Sequence, residues 1–151
     1  MALSNGYDSF LMFNVYAQRA TRPDDMERSC NPVLHAENRR AFRYLLSVPG
    51  PRPVGRLGNI IEKRGYLMDC MRDFAADASA AGAGWFTAGP LLKSGHPHHP
   101  LYLKGDTKLL AFDIDRYLRP GHLNRCEAQA GRPQWGRPAV FLCHSHFFFL
   151  K

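Results

Sequence analysis

SFLMFNVYA, residues 9–17, is the stretch whose reading decides the fold. Its apolar and aromatic residues run on with little alternation, as in a strand buried on both faces of a sheet. The polar, proline-containing QRATRPDDM that follows, residues 18–26, reads as the loop leaving that strand's carboxyl end. A strand of this kind is at home in an α/β protein, so helical patterns should lie downstream.

They do. Asn31 is a good N-cap and Pro32 suits the first helical position. Leu34, Phe42, Leu45 and Leu46 fall near one face, with Glu37, Arg39, Arg40 and Arg43 facing mostly outward, which predicts a helix from Pro32 to about Leu46. SVPGPRPVGRLG, residues 47–58, holds three prolines and three glycines and is expected to be irregular, in particular not a central strand. A second helix is expected to open after Gly58 with Asn59 as its cap. Ile60, Leu67, Met71 and Phe74 form its stripe, flanked by Ile61 and Cys70. WFTAG, residues 85–89, reads as a short strand, PLLKSGHPHHP as a loop and LYL as extended. TKLLAFDIDRYL, residues 107–118, leaves helix and strand open.

At 151 residues the chain suits one domain with a real core. No run approaches the roughly 18 apolar residues of a membrane span. The N-terminus lacks a basic region before its short apolar run, so no signal peptide is read and a cytoplasmic address is expected. Cys30, Cys70, Cys126 and Cys143 are widely spaced without a CxxC pair, and reduced thiols are expected. The net charge of +7 divides unevenly. Residues 1–118 carry 15 Lys/Arg against 12 Asp/Glu, a balance of +3, and residues 119–151 carry five against one, a balance of +4. A basic tail is weaker support for nucleic-acid binding than a basic folded face would be.

Candidate chemistry gathers in two places. His96, His98 and His99 stand within four residues around Pro97. His96 and His98 have the H-x-H spacing that points two ligands the same way, and Cys143, His144 and His146 could add donors. A proline-held loop with solvated histidines is the commoner outcome, so neither metal nor cofactor is expected. A histidine on such a loop can instead donate to an oxyanion or move a proton. The second place is the strand's carboxyl end, where open α/β sheets bind ligands. Asn14 lies there, with Gln18, Arg19 and Thr21 just beyond. Arg19 could clamp a phosphate or carboxylate, or brace the loop through Asp24 or Asp25. Glu62, Lys63 and Arg64 read as a solvated face, with Glu62 placed to complement a helix N-terminus.

FNVYAQRATRPDDM, GNIIEKRGYLMDCMRDF and GHPHHPLYLK occur in the order and style of a bacterial family, domain of unknown function 1643, which the chain resembles from about Gly6 to Leu118. The matching positions are Asn14, Arg19, Ala20, Thr21 and Pro23, then Gly95, Pro97, His99, Pro100, Leu101, Tyr102 and Leu103. The resemblance implies a three-layer α/β/α domain, similar in outline to uracil-DNA glycosylase-like folds, and imports no reaction. Members usually begin with an earlier strand ending in Leu-Asn-Pro-Ser, and carry another just before the Gly-x-Ile-Glu-Lys-Arg helix. Neither is read here, so a small, incomplete sheet is expected.

The resulting expectation is an α/β domain over residues 1–118 and an irregular basic tail over 119–151. Three functional readings stand. The first is an enzyme processing a nucleotide, nucleobase or nucleic acid, with Asn14, Arg19 and His99 lining one cleft as catalytic residues. The second is a non-catalytic nucleic-acid-binding module using the arginines of residues 39–64 and the tail. The third is a truncated homologue without independent activity. No membrane partner is expected, and self-association through an exposed sheet edge would cover an incomplete sheet.

Overall fold

Residues 2–7, 10–20, 22–48, 52–56, 59–98, 103–119 and 139–143 are described by the structure, a computed structural model. The strands are β1 (Phe10–Asn14), β2 (Arg52–Arg56), β3 (Phe86–Ala88), β4 (Leu109–Ala111) and β5 (Ala139–Cys143). The helices are α1 (Pro32–Ser47), α2 (Gly65–Ala80) and the single turn α3 (Ile114–Tyr117), with 3-10 turns at Leu3–Asn5, Pro23–Asp25 and Asn59–Glu62. The strands form one sheet in the order β1-β5-β2-β3-β4. β1, β5, β2 and β3 run parallel and β4 antiparallel to β3. The α/β class therefore holds.

Three expectations are corrected. First, the Pro/Gly segment supplies β2, a central strand paired with β5 along its whole length. Alternate N–H groups of a strand point to opposite neighbours, so Pro53 removes a ladder bond on one side only. The pairing with β3 is short, through Val54 and Phe86. Second, the segment expected to be irregular contributes β5, from Ala139 to Cys143, between β1 and β2. Its run AVFLC has the apolar content of an interior strand. Third, β1 lies at the sheet's edge instead of buried on both faces, with Leu11 52% and Met12 50% exposed.

α1 follows its sequence signals closely. The Asn31 side chain accepts from the N–H groups of Val33 and Leu34 at 3.0 and 3.3 Å, and Pro32 occupies the first turn. The second helix differs from expectation. Asn59–Glu62 forms a separate 3-10 turn, and α2 starts at Gly65 after Arg64.

The links from β1 through α1 to β2, and from β2 through α2 to β3, both advance across the sheet in one direction. Right-handed crossovers then put both helices on the same face. There Phe13 of β1 meets Phe42 of α1 and Phe74 of α2, with ring centroids 5.6 and 5.8 Å away, and Phe42 stands edge-on to Phe74 at 4.6 Å. Val15, Ile61, Leu67, Met71, Trp85, Ile114 and Tyr117 extend this core. On β3, Phe86 and Ala88 belong to a second cluster with Tyr7 and Leu109. Phe86 and Ala88 thus share one face of β3, as the pleat requires, while Trp85, just before the strand, belongs to the first cluster. Among the described residues, the layer on this second side comes from the N-terminal 3-10 segment and the loop at Leu103, not from an α-helix.

Charges fasten the helix layer. Arg39 donates two bonds of 2.9 Å to the Asp77 carboxylate and lies 3.3 Å from Asp73, while His35 Nε2 sits 2.7 Å from Asp73. Arg43 reaches Asp77 at 3.5 Å. Arg39 and Arg43, expected to face outward, instead turn across to α2. Arg39 holds the Asp77 carboxyl below the ordinary carboxylate range, and Asp77 in return raises the Arg39 guanidinium. Asn5 closes the far side of the sheet: its amide donates to Thr107 O at 2.8 Å and accepts from Leu109 N at 3.0 Å. No helix among the described residues is long and apolar enough to cross a membrane.

Candidate functional site at the carboxyl edge

Because β1, β2 and β3 are parallel, the segments that leave their carboxyl ends open on one edge of the sheet. These are residues 15–31, 57–64 and 89–108. Asn14 and Arg19 follow β1, Glu62 follows β2, and the histidine loop follows β3. His99 itself, with Thr21 and Pro100 to Tyr102, lies outside the described residues.

The first of these loops is tied down. Arg64 donates to the carbonyl oxygens of Asp24 (2.9 Å), Met26 (3.0 Å), Glu27 (3.1 Å) and its neighbour Lys63 (3.0 Å). A planar fork with five donors suits four converging carbonyls. Tyr66 donates its hydroxyl to Glu27 O at 3.0 Å, and the Gln18 amide oxygen accepts from Glu27 N at 2.8 Å. Tyr16 donates to the Glu27 carboxylate at 2.6 Å and accepts from Asn31 N at 2.8 Å. Burial, then the bond to Glu27, raise the Tyr16 phenol above its ordinary range, so it keeps its proton. From α1, the buried Asn38 donates to the carbonyls of Asn14 and Val15 at 3.0 and 3.2 Å, satisfying the end of β1. Arg64 and Gln18 are therefore loop braces. Asp24 meets Lys63 at 3.1 Å and Asp25 meets Arg22 at 3.5 Å. The side chains of Asn14 and Arg19 are exposed on this edge.

The third loop holds its histidine inward. Gly95 N donates to Leu92 O, and Leu92 N to His96 O, both at 2.8 Å. Gly95 takes φ +83°, a conformation open to glycine and strained for other residues. The tight turn drives His96 into the interior, where it is fully buried. The expectation of a solvated histidine is thereby overturned for His96; His98 is half-buried.

His96 Nδ1 is 2.8 Å from the Tyr117 hydroxyl, and Nε2 is 3.2 Å from Oε1 of Glu62. Burial, and secondarily the Glu62 charge, raise the Tyr117 phenol above its usual range. The Tyr117 hydroxyl can donate to Nδ1 or accept from it, according to the tautomer. Nε2 lies within ion-pair distance of the carboxylate yet lacks an aligned hydrogen bond, so it is a buried polar atom with its bonding incomplete. Glu62, 53% exposed, carries the chain Tyr117–His96–Glu62 out to solvent. Among the described residues no group of three or more His, Cys, Asp or Glu is disposed to hold a metal ion. An open groove lined by Arg72, Ala76, Ser79 and Asp115 lies along the far part of α2, away from this edge.

Sequence reasoning found the edge but missed Glu62, His96 and Tyr117 as a unit. Gly95 was the available signal, since a glycine-forced turn aims its successor. Tyr117 stands 21 residues from His96, and no local pattern joins them.

An α/β domain with parallel strands and a polar carboxyl edge is the class that fold and site define. Residues 1–101 match the family described as "Protein of unknown function (DUF1643)", and the chain belongs to that family. No curated protein and no solved structure matches the chain. The matched region includes Glu62 and His96, while β4, α3 with Tyr117, and β5 lie beyond it.

Proposed function

We propose that this domain is an enzyme acting on a nucleotide, nucleobase or nucleic acid at the carboxyl edge of its sheet. The observation that carries the reading is the buried His96 ring, anchored by Tyr117 on one side and turned toward the solvent-reaching carboxylate of Glu62 on the other. A carboxylate oriented in this way accepts a proton from a bound water or from a substrate N–H. Arg19 supplies the charge for a phosphate, Asn14 orients the base or sugar through its amide, and His99 joins them from the same loop as His96. Partly buried polar groups gathered at a strand-end edge are the pattern expected of a site.

Titration of the protein with a panel of nucleoside monophosphates, nucleosides and free nucleobases tests this, read by calorimetry and melting temperature. The expected result is a phosphate-containing ligand whose affinity falls at least tenfold in Arg19→Ala and whose turnover is lost in Glu62→Gln. If no panel member binds, or Arg19→Ala leaves binding unchanged, the reading fails.

The non-catalytic nucleic-acid module is the second reading; the basic side chains of its tail beyond Arg119, with those of Arg52 and Arg56, lie outside what the structure describes, and the basic side chains described between residues 39 and 64 are engaged within the fold. Arg39 and Arg43 bond across to α2, Arg40 pairs with Glu37, Lys63 with Asp24, and Arg64 with four carbonyls. Self-association keeps a specific support: β1 is an edge strand whose Leu11 and Met12 are half-exposed.

A further inference from the structure

We propose that Cys30 and Cys70 form a reversible disulfide that ties the loop leaving β1 to helix α2. Their sulfur atoms are 4.0 Å apart, in contact as free thiols although 40 residues separate them in sequence. A disulfide needs a sulfur separation of about 2.05 Å and a Cβ–S–S–Cβ angle near ±90°, so the two sulfurs must close by about 2 Å from their contact distance. Cys30 sits on the half-buried side, directly before the N-cap Asn31, and Cys70 is buried on α2.

The surroundings give the two sulfurs different roles. Burial, then the neighbouring Cys30, push the Cys70 thiol up to about 12, so it keeps its proton and waits. Cys30 is the reachable partner for an oxidant of the disulfide class, such as oxidised glutathione. The Cys30 thiolate attacks one glutathione sulfur, forming a mixed disulfide and releasing one glutathione thiolate. Cys70 passes its proton to the glutathione thiolate released in the first step and attacks the Cys30 sulfur, breaking the mixed disulfide and releasing the second glutathione as a thiolate. Two protein thiols and one glutathione disulfide thus become one protein disulfide and two molecules of reduced glutathione.

The location gives the bond a consequence. Asn31 N donates to the Tyr16 hydroxyl, Tyr16 donates to Glu27, and the Tyr16 ring stands edge-on to Tyr66 of α2 at 5.0 Å. A covalent link at Cys30 pins the same loop that Arg64 and Tyr66 hold by hydrogen bonds. The loop carrying Arg19 would then be locked in oxidising conditions and released in reducing ones.

The test is incubation of the folded full-length chain with oxidised glutathione, followed by alkylation of remaining thiols and peptide mass spectrometry. The expected products are a peptide pair joined through Cys30 and Cys70, loss of both from the alkylated pool, and a melting temperature raised by several degrees that dithiothreitol reverses. Cys70→Ser should stop the reaction at the Cys30–glutathione mixed disulfide. Because that variant loses a buried group, Cys30→Ser, at the more accessible position, serves as the second arm and should leave Cys70 unmodified. A wild-type product glutathionylated at Cys30 with Cys70 still alkylatable would overturn the proposal. So would a Cys30–Cys70 link that appears only in denaturant.

Discussion

The Tyr117 hydroxyl and His96 Nδ1 are hydrogen-bonded across 2.8 Å, and both residues are buried to within a few per cent. The contact joins α3 to the loop after β3, so it fixes the orientation of the ring. Tyr117→Phe keeps the aromatic packing against His96 and Phe112 but leaves Nδ1 buried without its hydrogen-bond partner. A loss of about 1–3 kcal/mol in denaturant-determined stability is expected. The His96 ring nitrogens should also shift in 15N NMR. A variant with wild-type stability and unchanged imidazole resonances would remove Tyr117 from the chain that ends at Glu62.

Gly95→Ala acts on the same histidine from the other side. At φ +83° an alanine is forced into the left-handed region, at about 1–2 kcal/mol. The turn that carries Leu92 O to Gly95 N should loosen, and His96 should become measurably more accessible to diethyl pyrocarbonate. Equal labelling of variant and wild type would show that the turn does not hold the ring.

Asp77 carries the acid dependence of the helix layer. Its bonds to Arg39 hold its folded-state pKa below the unfolded value. Such a group stabilises the fold above the ordinary carboxylate range, and its contribution is lost as pH falls through the lowered folded value. Its side chain is only 9% exposed, so solvent screening removes little of the effect. Asp77→Asn should cost about 1–3 kcal/mol at pH 7. The gap between variant and wild type should close in acid, which paired denaturation curves at pH 7 and pH 3 would read. A gap independent of pH would assign the loss to packing.

Phe42 is fully buried where β1, α1 and α2 meet. Phe42→Ala should cost about 3–5 kcal/mol, because three neighbouring elements cannot all collapse into the space. Phe42→Leu should recover much of the loss. Urea midpoints of the two variants measure the difference, and a near-neutral Phe42→Ala would mean that this aromatic cluster is not the centre of the core.

What was legible in the sequence was local. Asn31-Pro32 announced a helix start because a cap and its first turn are adjacent in the chain. The stripe through Leu67, Met71 and Phe74 was readable because it repeats within one helix. The central position of β5 was not, since its place depends on partners far away: Leu142 pairs with Phe13 on one side and Gly55 on the other. β2 was missed because prolines argue against a strand one residue at a time, whereas a proline removes a ladder bond on one side of a strand only. Arg19 and Asn14 were correctly placed at a strand end by topology alone. The pairing of Glu62 with His96 joins loops from two different strands, and no spacing rule reaches across them.

That same topology leaves β1 with one neighbour, β5, and one free side among the described residues. Leu11 and Met12 point to opposite faces of the strand, yet each is half-exposed, so neither the helix layer nor the second face covers the edge. Unpaired N–H and C=O groups beside apolar side chains are a template for another strand. A second copy of the chain offers one of the same length, and antiparallel pairing of β1 with β1 would extend the sheet across a twofold axis. Sedimentation velocity over a hundredfold concentration range should then show a monomer–dimer equilibrium. Leu11→Lys places a charge at the edge and should shift that equilibrium toward monomer by at least tenfold while leaving the melting temperature of the dilute protein within a few degrees. A wild-type chain that stays monomeric at the highest concentration would mean that the β1 edge does not pair with itself.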